Sequence, residues 1–234
     1  MVMKKRNRIK ETPGIHDQKP GTSPAPASGS GLGWLEDFIY LLITMILFLA
    51  VYVYVFDKKI DLNGDNAYYY VLGKALHLGE GYVNLASIDK VPNNHFPPGY
   101  PFLISLWMYI SDSYAFIKLM NGALLLASLV MTYFLFKKLS GNLRIAFSAA
   151  VLLTLNVHLL QYGTMMMSEI PFIFFSLLCI YFSYRMIEEK HVFKNPSIYL
   201  VLLALIASYY IRSTGLALFA GLILFLLIRK KWKP

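Results

Sequence analysis

The stretch DLNGDNAYYYVLGKALHLGEGYVNLASIDKVPNNHFPPGYPFLISLWMYI, Asp61 to Ile110, lies between two long apolar runs and decides how the rest of the chain is read. Connections between helices usually run to a few residues. A segment this long, with periodicity of its own, does more than join two spans. Asp65 follows Gly64 and precedes Asn66 to Leu76, where apolar residues at 68, 71, 72 and 75 fall at i, i+3, i+4 and i+7. That spacing predicts a short amphipathic helix, with this face resting on lipid or on the spans. The stretch then enters His95-Phe96-Pro97-Pro98-Gly99-Tyr100-Pro101, a turn that its prolines stiffen by fixing φ.

Outward from this window the chain is apolar. Hydrophobic residues make up 57% of its 234 positions, and several runs approach the roughly 20 residues a helix needs to cross a bilayer. The fold class is therefore an all-α, polytopic membrane helix bundle with about six spans and outer-face juxtamembrane helices. Spans are expected at Phe38–Phe56, Ala115–Phe136, Ile145–Leu160, Ile170–Tyr184, Ser197–Ile211 and Leu216–Ile228. Residues 1–33, basic and then rich in Pro, Gly and Ser, have too little apolar surface to offset their ordering entropy and read as a disordered cytoplasmic tail. They are not a cleavable signal, since the apolar run starts late and no small-residue cleavage site follows it. Residues 34–234 form the transmembrane module, with an outer loop over 57–114.

Charge fixes the expected orientation. With the N-terminus cytoplasmic and Tyr100–Ile110 lying at the interface, three basic groups all fall inside: Lys137, Lys138 and Arg144; Arg185, Lys190 and Lys194; Arg229, Lys230, Lys231 and Lys233. Counting Tyr100–Ile110 as a crossing would put all three outside, against the positive-inside tendency. The short separation at Arg212-Ser213-Thr214-Gly215 is read as a hairpin, because one long helix would bury Arg212 near mid-bilayer. The net charge of +9 sits mainly at span ends, so it speaks for a membrane and against nucleic acid. The single cysteine, Cys179, lies in an apolar run with no partner for a disulfide or a metal site.

On this topology the outer face carries Asp57, Asp61, Asp65, Glu80, Asp89, His95, Asp112, Glu169 and Arg212. Four of these residues have two open readings. Asp65 is either an N-cap satisfying free backbone N–H groups or a carboxylate held for chemistry at the helix start. Glu169, ahead of Ile170-Pro171, is either a first-turn Glu favoured by the helix dipole or a second acidic group in a cleft. Arg212 either snorkels or meets a lipid phosphate with its planar fork. His95 either packs beside aromatics or serves a phosphate or a proton transfer. Asn156, His158 and Gln161 are expected to satisfy one another or water, and Met165, Met166 and Met167 to be packing. The three function classes are an enzyme, a non-catalytic lipid-binding scaffold or accessory subunit, and a transporter. The last is disfavoured because no Asp or Glu lies mid-span.

Taken in order, GDNAYYYVLGKALHLGEGY, NHFPPGYPFLISLWMYISDSYAFIKLMNGALL, YGTMMMSEIPFIFFSLL and, more loosely, YYIRSTGLALFAGL resemble the N-terminal membrane module of the glycosyltransferase C superfamily. The resemblance is to the protein mannosyltransferase and aminoarabinose transferase branch and covers about Phe38 to Ile228. It implies a catalytic carboxylate at Asp65, a second at Glu169, and substrate contacts at His95, Arg212 and Tyr68. It also implies a polyprenyl-phosphate-linked sugar donor, a lipid or protein acceptor, and transfer on the outer face of the plasma (inner) membrane. A divalent cation held by Asp65 and Glu169 is compatible with it. Phe96 stands where the aminoarabinose branch has a Lys before Pro-Pro, so His95 or Arg212 has to supply the phosphate contact. Relatives carry further spans and often a C-terminal outer domain, so a second subunit supplying that half is an expected partner.

Overall fold

The computed structural model describes residues 33–59, 64–188 and 195–228. The tail expected before Gly33, Asp61, and the basic residues Lys190, Lys194, Arg229, Lys230, Lys231 and Lys233 lie outside the described residues. The helices are α1 (Gly33–Val55), α2 (Asp65–His77), α3 (Gly99–Met108), α4 (Tyr114–Ser140), α5 (Leu143–Thr154), α6 (Val157–Gly163), α7 (Glu169–Glu188), α8 (Ser197–Ile211) and α9 (Gly215–Ile228). The chain is all-α: the one β feature among the described residues is an isolated bridge between Val83 and Pro92.

All six apolar segments are helical, but they differ in reach. Helices α1, α4 and α7 are long and apolar enough to cross a membrane. The segment expected as one span over Ile145–Leu160 is instead two helices, α5 and α6, bent by 63°. Its break has a local cause, since Asn156 adopts an extended backbone and caps α6 by accepting from the Leu159 N–H. Asn156 thus finds its partner in the backbone, while His158 and Gln161 are exposed. The 15 and 14 residues of α8 and α9 give about 22 and 21 Å at 1.5 Å per residue, short of a core of about 30 Å. They form the expected hairpin, closed by a hydrogen bond from the Gly215 N–H to the Arg212 carbonyl at 2.8 Å.

Two polar contacts set the bundle's polarity. The Lys118 ammonium at the start of α4 donates to the carbonyls of Asp57 and Lys59, just past the end of α1. At the other end of the same pair, Asp37 on α1 accepts from Lys137 and Tyr133 on α4, both at 2.6 Å. Helices α1 and α4 are thus antiparallel, and the chain from 57 to 114 leaves and re-enters at one end of the bundle. Helix α3, at 10 residues about 15 Å long, does not cross it.

Helix α2 corrects the expected apolar face. Its buried residues are Asn66, Tyr69, Tyr70, Leu72, Gly73 and Ala75, while Tyr68 and Val71 are only half-buried. The helix is turned because α3 packs directly on it. At Gly73 an added Cβ would lie 2.5 Å from Ile104 Cγ2, so only glycine permits this approach. A core of Tyr69, Tyr70, Tyr100, Ile104, Ile117, Met166 and Ile211 joins α2, α3, α4, α8 and the turn before α7 beneath that end.

Candidate functional site

The site is assembled by two buried asparagines that carry no sequence periodicity. Asn121 on α4 donates to the Met165 and Met167 carbonyls, and Asn66 on α2 accepts from the Met166 N–H at 2.7 Å. Together they clamp the Met165–Ser168 turn, with Met166 fully buried as packing. Since Asn66 follows Asp65 and Met166 lies just ahead of Ser168 and Glu169, this clamp draws the two carboxylate-bearing segments together.

Asp65 is the first residue of α2 and not its cap. The N-cap is Gly64, at φ 71°, and no side chain caps the helix. The N-cap reading of Asp65 fails for that reason. Its exposed side chain instead lines a polar pocket of about 170 Å³ with Tyr69, His95, Ser168, Arg212, Ser213 and Thr214. Arg212 Nη1 pairs with Glu169 Oε1 at 2.5 Å and donates to Ser168 Oγ at 3.1 Å. Ser168 Oγ lies 3.0 Å from the Tyr69 hydroxyl. Asp65, Glu169 and Arg212 therefore converge, with Arg212 lining the pocket of one carboxylate and paired to the other. Burial, joined by the charges of Asp65 and Glu169, raises the Tyr69 phenol above its ordinary pKa against the opposing Ser168 hydrogen bond and Arg212 charge. The Tyr69 hydroxyl is thus a neutral group.

His95 reaches this pocket because its turn is fixed from both sides. The Tyr82 hydroxyl donates to the Phe96 and Pro97 carbonyls and Asn93 Nδ2 to that of Phe96, while the His95 ring meets Phe96 edge-on. At Gly99 an added Cβ would lie 2.5 to 2.7 Å from the backbone of Tyr210 and Ile211. Glycine here seats the His95 turn on the end of α8, beside Arg212. Tyr68 packs behind the pocket on Phe96, which lines it, and accepts from Asn84, and Tyr69 takes the pocket wall.

A second pocket of about 330 Å³ adjoins the first, and His95, Phe96, Pro97 and Ser213 line both. On the other side of Pro98 and Tyr210 lies an almost wholly apolar groove of about 460 Å³ along α3 and α8, walled by Phe102, Leu103, Leu203 and Ile206. Acid–base groups, an arginine and an apolar groove thus lie side by side at this end of the bundle.

The donor set does not fit a resident divalent cation. Such an ion wants several hard oxygens, yet Glu169 Oε1 is already bound by the guanidinium. Among the described residues no three His, Cys, Asp or Glu side chains group as metal ligands.

An all-helical chain with several apolar helices long enough to cross a bilayer is an integral membrane protein. Residues 95–234, more than half of the chain, match the profile of the dolichyl-phosphate-mannose-protein mannosyltransferase family. The chain belongs to that family, within the glycosyltransferase C superfamily, whose members are membrane glycosyltransferases. The match takes in His95, Glu169 and Arg212 and leaves Asp65 outside, so Asp65 joins the site through geometry. Curated proteins and solved structures give no significant match.

Sequence reasoning missed Asn66, Tyr69, Asn121 and Ser168. Only Tyr69 left a trace, one helical turn after Asp65 at i+4. The other three are polar residues whose partners are remote in sequence.

Proposed function

We propose that the polar pocket transfers a sugar from a polyprenyl-phosphate carrier to an acceptor hydroxyl. Asp65 takes the acceptor's proton as the oxygen attacks the anomeric carbon. The bond from that carbon to the phosphate oxygen breaks, and the phosphate leaves with the electron pair. General-base help of this kind contributes about 10²- to 10⁴-fold, with positioning supplying much of the rest.

The observation that carries this reading is the adjacency of the pocket of Asp65 and Arg212 to the apolar groove across the His95–Pro98 turn. A carrier lipid needs both an anion site and an apolar path for its tail. Arg212 supplies donors, His95 and Ser213 border the route, and the α2, α7 and α9 N-termini bring positive dipole ends to the pocket rim. One guanidinium already paired with Glu169 suits a singly charged phosphodiester better than a pyrophosphate. The site end faces outward, since Lys137, Lys138, Arg144 and Arg185 lie at the opposite end. The family's named donor, dolichyl-phosphate-mannose, is the first candidate.

The test is Asp65→Asn in the full chain, assayed for transfer from a polyprenyl-phosphate sugar. Since Asp65 caps nothing, folding and lipid binding should survive while transfer falls at least about 10²-fold. No transfer by the wild type, or an undiminished rate in the variant, overturns the proposal and leaves a lipid-binding scaffold.

A further inference from the structure

Ser168 is 1% exposed, and nothing in its sequence position marks it for a role. Its oxygen accepts from Arg212 Nη1 at 3.1 Å and lies 3.0 Å from the Tyr69 hydroxyl. The same Nη1 pairs with Glu169 Oε1. Nη1 is therefore committed to the protein by one hydrogen bond and one charge contact. Nη2 and Nε form no hydrogen bond among the described residues. A guanidinium is planar, so two anchors on one nitrogen set the orientation of the whole group. What is left over is the Nη2–Nε edge, the paired donor arrangement that meets two phosphate oxygens at once.

Tyr69 extends the constraint to another helix. It sits on α2 one turn after Asp65, and its ring is packed against Phe96 and Tyr100. Its place along the backbone is fixed by the Asn66 contact to Met166. The chain Tyr69–Ser168–Arg212 thus ties the element bearing the carboxylate to the group that would hold an anion.

We infer that Ser168 is a positioning residue. It holds the Arg212 guanidinium against α2 so that the Nη2–Nε edge grips an anionic phosphate while Asp65 stays in register with it. The identity of that anion as a lipid phosphate rests on the transferase reading above, whereas the orienting role does not.

The experiment uses the full chain in nanodiscs and two readouts. The first is the affinity for a polyprenyl monophosphate. The second, which needs no lipid, is the rate at which an arginine-selective dicarbonyl modifies Arg212, followed by mass spectrometry. For Ser168→Ala we expect affinity to fall about tenfold, the size of losing one hydrogen bond to a charged group. Arg212 should also be modified faster, at an unchanged thermal midpoint. Tyr69→Phe should move both readouts the same way by less, and Arg212→Lys should weaken lipid binding more. Unchanged affinity and modification rate in Ser168→Ala, with binding lost in Arg212→Lys, overturns the inference and leaves the transferase reading standing. A fall in thermal midpoint alone also overturns it, because it makes Ser168 merely structural. A wild type that binds no polyprenyl monophosphate sinks the transferase reading, and the modification rates then decide the orienting role alone.

Discussion

Glu169 stands where two effects act on one carboxylate. As the first residue of α7 it is favoured by the helix dipole, yet its Oε2 is buried without a hydrogen-bond partner among the described residues. Arg212 supplies the compensation at Oε1. Removing one member of such a pair is the costly way to break it, since the other charge is left behind. Fully buried pairs lose about 3–5 kcal/mol in this way. The pair here has side chains 35% and 25% exposed, so solvent screening reduces the expected loss for Arg212→Met to about 1–2 kcal/mol. Adding Glu169→Gln to that variant should recover much of the loss. Denaturant unfolding of the four forms in detergent makes a double-mutant cycle. Strictly additive losses would mean that the two side chains do not feel each other. The sequence offered Asp65 and Glu169 as helix-start carboxylates, and both do stand at helix starts. It could not reveal that a single guanidinium would serve the environment of both.

Among the elements, the contact between α3 and the end of α8 controls the site most directly. Gly99 is in backbone-to-backbone contact with Tyr210 and Ile211, and backbone cannot move aside as a flexible side chain would. Gly99→Ala should force α3 away from α8, carrying the His95 turn from Arg212. Overpacking of this sort costs about 1–3 kcal/mol, so a lower thermal midpoint is expected together with weaker polyprenyl-phosphate binding. Gly221→Ala is the control. It lies inside α9, with nothing within 4 Å of the added Cβ, and should be neutral or stabilising by up to about 1 kcal/mol. Equal effects of the two substitutions would mean that the α3–α8 contact does not position the site. The rigid Pro-Pro-Gly turn was legible in the sequence, but the surface on which its glycine lands was not.

For the whole molecule, the antiparallel pairing of α1 and α4 gathers residues 57–59, 112–118, 165–169 and 210–215 at one end. Lys137 and Lys138 gather at the other, where Lys138 lies over the Tyr184 ring of α7 at 5.0 Å. If the basic end is cytoplasmic, a cysteine at Asp112 should react with an impermeant maleimide added from outside. A cysteine at Arg144 should react only after the membrane is opened. Cys179 is buried and should stay silent in both cases. Labelling of position 112 from the cytoplasmic side alone would invert the bundle and remove Asp65, Glu169 and Arg212 from the outer face.

The sequence by itself determined the helical segments, favoured the pairing of residues 197–228 as a hairpin and placed Asp65, Glu169 and Arg212 at one end. Hydropathy, charge and proline stiffness act over a few neighbouring residues, and a linear reading can integrate them. Only the tertiary structure decided which face of α2 is buried, where the third apolar segment bends and which polar side chains meet. Asn66 and Met166 are 100 positions apart, and Tyr69 and Ser168 are 99 apart. A buried polar residue is tolerated only where a partner awaits it. That partner is chosen by packing, through contacts such as Gly73 on Ile104 and Gly99 on Tyr210, and the chain order alone does not contain it.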